Sequence, residues 1–291
     1  MRGIIAAVAL AAVSLGASRP ASPVGQDPVP VETLVDRAVA YTKNYQEELT
    51  AIVADEVYTQ DVRAQVPLDR GLPRKSTLKS EIFFMFTPGA DWMAIRDVAT
   101  INNRPAADRP DLRSALQTLA APAVARKFKS FNAQYNLGRV VRNFNEPTFS
   151  LLVLDQKYRS RFTFERRREQ RVEEETLVTI GFTETKPPTL VRDLYGGPVF
   201  SSGEMTIEPA SGRVTRVLMT LTIGTVHMAL STMYARDARL DIWVPSRFSE
   251  RYEDGVKNAP RTVDGPARYE EIVCEARYAN FRRFEVKSRI R

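Results

Sequence analysis

The side chains able to do chemistry in this chain are few: one histidine, one cysteine and a scatter of paired carboxylates. His227 sits in Thr225-Val226-His227-Met228-Ala229-Leu230, alternating against Val226, Met228 and Leu230, so a strand there turns it to the more polar face. A serine–histidine–acid triad would need a nucleophile elbow, and no G-x-S-x-G occurs. A zinc site draws on three or four His, Cys or carboxylate ligands, so one histidine and one cysteine leave it to carboxylates alone. Cys274 shares its strand face with Ile272, Ala276 and Tyr278, which is the setting of a small buried hydrophobe. The doublets Glu47-Glu48, Asp55-Glu56 and Glu270-Glu271 and the triplet Glu173-Glu174-Glu175 are adjacent in sequence. A glycosidase pair is brought together by the fold instead, and the doublets read as solvated surface. G-x-G-x-x-G, G-x-x-x-x-G-K-[ST] and calcium-loop patterns are absent from the sequence. No catalytic residue, metal ligand set or cofactor site is expected.

Two features could bind without reacting. Arg166-Arg167-Arg168, with Arg159, Arg161 and Arg171 nearby, is either an anion-binding patch or one arm of a hairpin paired with Glu173-Glu174-Glu175. The other feature is an apolar surplus in the strands. Ile82, Phe84 and Phe86 occupy one face of their strand, yet Phe83 and Met85 make the opposite face apolar too. Apart from the initiator, every methionine (Met85, Met93, Met205, Met219, Met228, Met233) falls in an expected strand. Flexible thioethers suit a cavity that adapts to apolar ligands. Phe83, Met85, Met93, Met219, Leu221 and Met228 are therefore the cavity candidates, with Ile82, Phe84 and Phe86 as ordinary core. The alternative is a sheet covered on both faces.

The elements that must position these residues follow from hydrophobic period. Leu34, Val35, Ala38, Tyr41, Tyr45, Leu49, Ile52 and Val53 recur at three- and four-residue spacing, which predicts a long amphipathic helix from Val31. Strands are expected at Glu56–Arg63, Ser76–Thr87 and Trp92–Ile101, the last two joined by a turn at Pro88-Gly89-Ala90-Asp91. Helical segments follow at Pro110–Leu137, kinked or broken at Pro122, and at Thr148–Tyr158. The remainder reads as strands: Arg161–Arg168, Thr176–Thr185, Ser202–Glu208, Arg213–Ile223, Val226–Tyr234, Leu240–Tyr252 and Ala267–Val286. Short turns between consecutive strands mean antiparallel pairing. The expected class is α+β: a single curved antiparallel β-sheet, a half-open barrel, with helices packed on one face.

At the amino terminus, Met1-Arg2 precedes the uncharged apolar run Gly3–Leu15, and small residues follow at Gly16-Ala17-Ser18. This is the pattern of a secretory signal peptide over residues 1–18, with a mature terminus expected between Ala17 and Ala21. The run is shorter than the ~20 residues of a spanning helix, so no transmembrane segment should remain after cleavage. Residues 19–30, with four prolines, form an extended leader, and residues 31–291 are expected to make one domain. The net charge of +7, mostly arginine, would suit nucleic acid in a cytosolic protein. In a periplasmic or secreted one, the partners such a surface would meet are an anionic membrane surface, lipopolysaccharide or acidic glycans, and the alternative is a plain solvated surface in an arginine-rich proteome.

The segments Gly203–Val214 (GEMTIEPASGRV), Ile242–Ser246 (IWVPS) and Tyr278–Phe284 (YANFRRF) resemble those of secreted bacterial proteins. More remotely, they resemble the carboxy-terminal strands of the periplasmic lipoprotein-carrier (LolA-like) superfamily. The resemblance covers less than a third of the chain and rests on turn residues. It implies a half-open antiparallel barrel with helices on its concave side and acyl chains or lipids held between them. No functional residue of the carriers matches a position here. The leading reading is a non-catalytic envelope protein binding a lipid or a lipidated protein in a half-barrel cavity. The alternatives are an interaction or structural module with a filled core, and a hydrolase whose acid pair the sequence does not reveal.

Overall fold

The computed structural model describes residues 28–64, 74–86, 93–140, 142, 146–257 and 269–284. The expected signal segment, its cleavage site, most of the leader and the Pro88–Asp91 turn lie outside the described residues. The chain opens with α1 (Val31–Leu49), whose buried residues Leu34, Val35, Ala38, Thr42, Tyr45 and Leu49 keep helical spacing. Thr50 is extended and Ala51 takes φ +62°, so the chain reverses directly into β1 (Ile52–Ala64). β2 (Lys75–Met85), β3 (Met93–Ile101) and the short β4 (Arg104–Pro105) follow. Next come α2 (Leu112–Thr118), α3 (Ala121–Asn132), two 3₁₀ turns (Ala133–Tyr135 and Phe149–Leu154) and α4 (Gln156–Arg159). Pro122 lies in the first turn of α3, where its missing N–H costs nothing, so it starts a helix and does not kink one.

The rest is β: β5 (Phe162–Val172), β6 (Glu175–Glu184), β7 (Val191–Arg192), β8 (Pro198–Val199), β9 (Ser201–Ile207), β10 (Val214–Ile223), β11 (Val226–Asp237), β12 (Ile242–Asp254) and β13 (Glu270–Arg283). Eleven strands form one antiparallel sheet in the order β4-β3-β2-β1-β13-β12-β11-β10-β9-β6-β5, and β7 with β8 makes a separate small ladder. The sheet is open, with β4 and β5 at its edges. β1 pairs with β13 from Ile52↔Arg283 to Ala64↔Glu270, with a register shift between Val53 and Asp55, so the last strand lies beside the first.

Alternation sorts the side chains onto two faces. On the first face Ile52, Ala54, Tyr58, Ile82, Phe84, Phe182, Met205, Met219, Leu230, Phe248, Tyr252, Ile272 and Cys274 join α1 and the 3₁₀ turn Phe149–Leu154 in one core. α1 reaches across β12, β10 and β5, and the β9–β10 turn docks on it. Gly212 there has φ +75°, and a Cβ on it would lie 2.2 Å from the Arg37 backbone carbon, so this turn must carry glycine. Arg37 Nη1 donates to the Pro209 carbonyl at 2.6 Å, tying the same turn to the helix.

The expected open antiparallel sheet with α1 on one face is present, with one addition. α2 and α3 cover the opposite face at the β1–β2–β3 end, where Val53, Phe83 and Ile95 pack under Leu112, Ala115, Val124 and Phe128. Elsewhere that second face is polar and laced with ion pairs, such as Arg282–Asp55 at 2.9 Å and Arg277–Glu275 at 2.8 Å.

Candidate functional site

The six cavity candidates divide between the two faces. Met219, Leu221 and Met228 are buried in the first-face core under α1 and the Phe149–Leu154 turn. They are members of the buried core cluster there. Met205 is buried in that core as well, whereas Met233 is exposed. Phe83 and Met85 lie on the second face, and Met93 is paired opposite Met85 at its margin. Ile82 and Phe84, expected as ordinary core, are fully buried, and Phe86 is half-buried.

An apolar cleft of about 300 Å³ opens beside Phe83 and Met85. Its floor is the α1–β1 reversal (Thr50, Ala51, Ile52) and the end of β2 (Phe83, Phe84, Met85). Its walls are Leu116 of α2, Leu119 just past that helix, Ala121 at the start of α3, and Phe284 just past β13. Backbone bonds fix the floor: the Ala51 N–H donates to the Phe84 carbonyl at 3.1 Å, and the Phe284 N–H to the Ala51 carbonyl at 2.7 Å. Phe83 and Phe284 meet edge to face with centroids 5.3 Å apart, a favourable aromatic geometry. Leu119 is 42% exposed and Phe284 37%, so two large apolar side chains stand at the mouth in water. A volume near 300 Å³ is at the lower limit of small-molecule pockets.

The first face holds a different arrangement, a layer of buried charge. Glu56 and Arg96 form a bidentate pair, Nε to Oε2 at 2.5 Å and Nη2 to Oε1 at 2.7 Å. The Arg96 guanidinium lies over the Tyr58 ring at 4.9 Å. The Tyr58 hydroxyl donates to Glu250 at 3.1 Å, and the Tyr252 hydroxyl donates to the other Glu250 oxygen. Arg142, over the Tyr252 ring, donates to Gln60 and to the Leu137 carbonyl. Burial raises the Glu250 carboxyl above the ordinary range, opposed by the Tyr252 hydrogen bond and by Arg142. Burial likewise pushes the Cys274 thiol up to about 12.

The space against this layer, between Tyr58, Arg96, Asn132 and Arg142, is about 40 Å³, room for a few waters. Glu56 and Glu250 face basic or hydroxyl partners. The layer therefore does structural work, fixing β1, β3 and β12 against the coil carrying Arg142. A Cys274 so buried should react with a thiol reagent slowly in the folded protein and quickly after denaturation; rapid native labelling, followed by absorbance, would refute its placement.

The remaining sequence candidates are accounted for individually. His227 is exposed on β11, its Nδ1 3.0 Å from the Thr222 hydroxyl. Arg166, Arg167 and Arg168 lie on β5, the edge strand, and are engaged: Arg166 with Glu169 and the Val29 carbonyl, Arg167 with Glu165, Arg168 with Glu204. Their partners differ from the expected Glu173–Glu175 arm, because Glu175 pairs with Arg213. The adjacent acid doublets do not all lie in water. Glu56, Glu270 and Glu271 are buried, Glu270 accepting the Arg139 N–H at 2.7 Å and Glu271 ion-paired to Arg251 at 2.8 Å. Desolvation makes a buried carboxylate costly unless it is paired, and these are.

Glu56, Arg96 and Glu250 were legible in one respect. Each falls in the apolar phase of its strand: Glu56 between Ala54 and Tyr58, Arg96 between Ala94 and Val98, Glu250 between Phe248 and Tyr252. A charge on the buried phase needs a partner, and the partner comes from another strand. Leu116, Leu119, Ala121 and Phe284 carried no comparable signal, being ordinary apolar residues.

Among the described residues no group of three or more His, Cys, Asp or Glu side chains could hold a metal ion, and no helix is long and apolar enough to cross a membrane. No family model and no curated protein matches the sequence. Solved structures are similar in fold at low identity. A Vibrio parahaemolyticus domain named for outer membrane lipoprotein sorting is 10% identical, with a TM-score of 0.43, covering 88% of this chain and 95% of that one. A DUF1329 family protein from Desulfovibrio piger is 11% identical, with a TM-score of 0.37 and coverages of 89% and 95%. Lipovitellin is 9% identical, with a TM-score of 0.32, and 82% of this chain spans 26% of it.

Proposed function

We propose that this is an exported, non-catalytic α+β protein of the bacterial envelope, residues 31–291 acting as one domain, that binds a hydrophobic ligand in the cleft beside Phe83 and Met85. The observation that carries the reading is the cleft itself: an open apolar space with Leu119 and Phe284 at its mouth, on a face that is otherwise ion-paired. Exposed apolar surface rimmed by polar residues marks binding sites. This differs from a ligand held between α1 and the sheet, where Met219, Leu221 and Met228 belong to the buried core. A lipid or the acyl chain of a lipidated protein has the chemistry the cleft would accept, and the apolar run at residues 3–15 supports a periplasmic or secreted location.

The test is titration with a neutral naphthylamine probe that brightens in apolar surroundings. The wild type should bind it. Leu119→Asp places a charge at the mouth, on an exposed residue, so stability should shift by only about 0.5 kcal/mol while probe affinity falls roughly tenfold. A wild type that binds no probe removes this reading in favour of a protein–protein interaction module.

A further inference from the structure

The apolar cleft does not stop at Phe83. Phe83, Leu116 and Phe284 also wall a neighbouring recess of about 290 Å³ whose remaining lining is mostly charged. An elongated molecule in the cleft would therefore meet polar groups at this end. Most of those groups are already matched. Asp97 is buried and held by Arg109, Nε to Oδ1 at 2.8 Å and Nη2 to Oδ2 at 2.9 Å. Glu81 is taken by Arg282, which also holds Asp55.

Two groups keep capacity. Arg113, on the first turn of α2, is exposed and makes no ion pair among the described residues. Asp111 uses one oxygen, Oδ1, to accept the Arg113 and Ser114 N–H groups at 3.0 and 3.3 Å. Its charge is answered by amides, not by a cation. A guanidinium and a carboxylate two residues apart, both facing one recess, complement a head of mixed charge: guanidinium suits phosphate, and a carboxylate suits an ammonium group.

Resting on the cleft reading above, we infer that cleft and recess together take a single-chain amphiphile whose head carries a phosphate and an ammonium group, the phosphate against Arg113 and the ammonium against Asp111. The chain lies beside Met85 and Leu119. Glu81 and Asp97 are matched by Arg282 and Arg109, which leaves Asp111 and Arg113 as one unmatched charge of each sign and favours a head carrying both charges over a purely anionic one. Burial first, then Glu81 and Asp111, hold the Asp97 carboxyl above its ordinary range against the pull of Arg109.

The experiment displaces the naphthylamine probe from the full exported chain with three ligands of equal chain length, each below its micelle concentration. These are lauroyl lysophosphatidylethanolamine, dodecyl phosphate and monolaurin. The lysophospholipid should displace the probe at about tenfold lower concentration than monolaurin, the advantage of a charge-assisted contact, and ahead of dodecyl phosphate. Arg113→Ala should cancel the advantage over monolaurin. Asp111→Asn, which keeps the helix cap, should cancel the advantage over dodecyl phosphate. Equal displacement by all three heads overturns the head assignment and leaves the cleft standing, as does an advantage that survives both substitutions. Failure of the probe to bind the wild type overturns the cleft itself.

Discussion

Arg96→Ala should destabilise the protein by about 3–5 kcal/mol, the largest loss expected from any single change of a charged residue here. Arg96 and Glu56 are both buried, joined by two hydrogen bonds. Removing the guanidinium strands the Glu56 carboxylate, which is buried. It also removes the cation that lies over Tyr58 and helps hold Glu250. The penalty belongs to the uncompensated charge more than to the lost bond, which gives the prediction a second arm. Arg96→Met combined with Glu56→Leu leaves no stranded charge and should recover most of the loss, as apolar replacement of a whole buried pair is often neutral. Urea unfolding of both variants measures this. A double variant as unstable as Arg96→Ala alone would mean that packing, not charge, sets the cost. Surface pairs such as Arg236–Asp241 should contribute little by comparison.

Phe84→Ala should also cost about 3–5 kcal/mol, the range for a packed aromatic. Phe84 is fully buried and meets Tyr278 edge to face at 6.4 Å. Met85, its neighbour, is half-buried on the opposite face with the cleft on one side. Fewer atoms surround it, so Met85→Ala should cost only about 1 kcal/mol yet weaken the neutral probe roughly tenfold. Phe83 combines both roles, packing under α2 and α3 while bordering the cleft, so Phe83→Ala should lower stability and binding together. Calorimetry paired with probe titration separates the three. If Met85→Ala destabilises as much as Phe84→Ala and leaves binding unchanged, the second face is closed core, and the protein is better read as an interaction module.

The sequence by itself determined most of the elements and their order, because period and turn chemistry are local, but Ile52 and Val53, expected in the helix, open β1, and the short β4, β7 and β8 were not expected. Spacing at Leu34, Ala38 and Tyr45 is enough to define α1; alternation around Cys274 is enough to bury it; glycine at 224 is enough to close the β10–β11 hairpin. It also identified Phe83 and Met85 as an apolar surplus beyond what one buried face needs. Only the tertiary structure decided what that surplus does. Met219 and Phe83 are indistinguishable by local pattern, but one meets α1 and the Phe149–Leu154 turn while the other meets α2, α3 and an open space. The acid doublets divide the same way: Glu56 finds Arg96 two strands away, and its sequence neighbour Asp55 finds Arg282 on β13. The cleft draws on residues 50–52, 83–85, 116–121 and 284, four stretches brought together by the β1–β13 pairing and by helices folded over a sheet edge. Burial, charge pairing and cavity shape depend on what arrives from elsewhere in the chain, and local pattern does not carry that information.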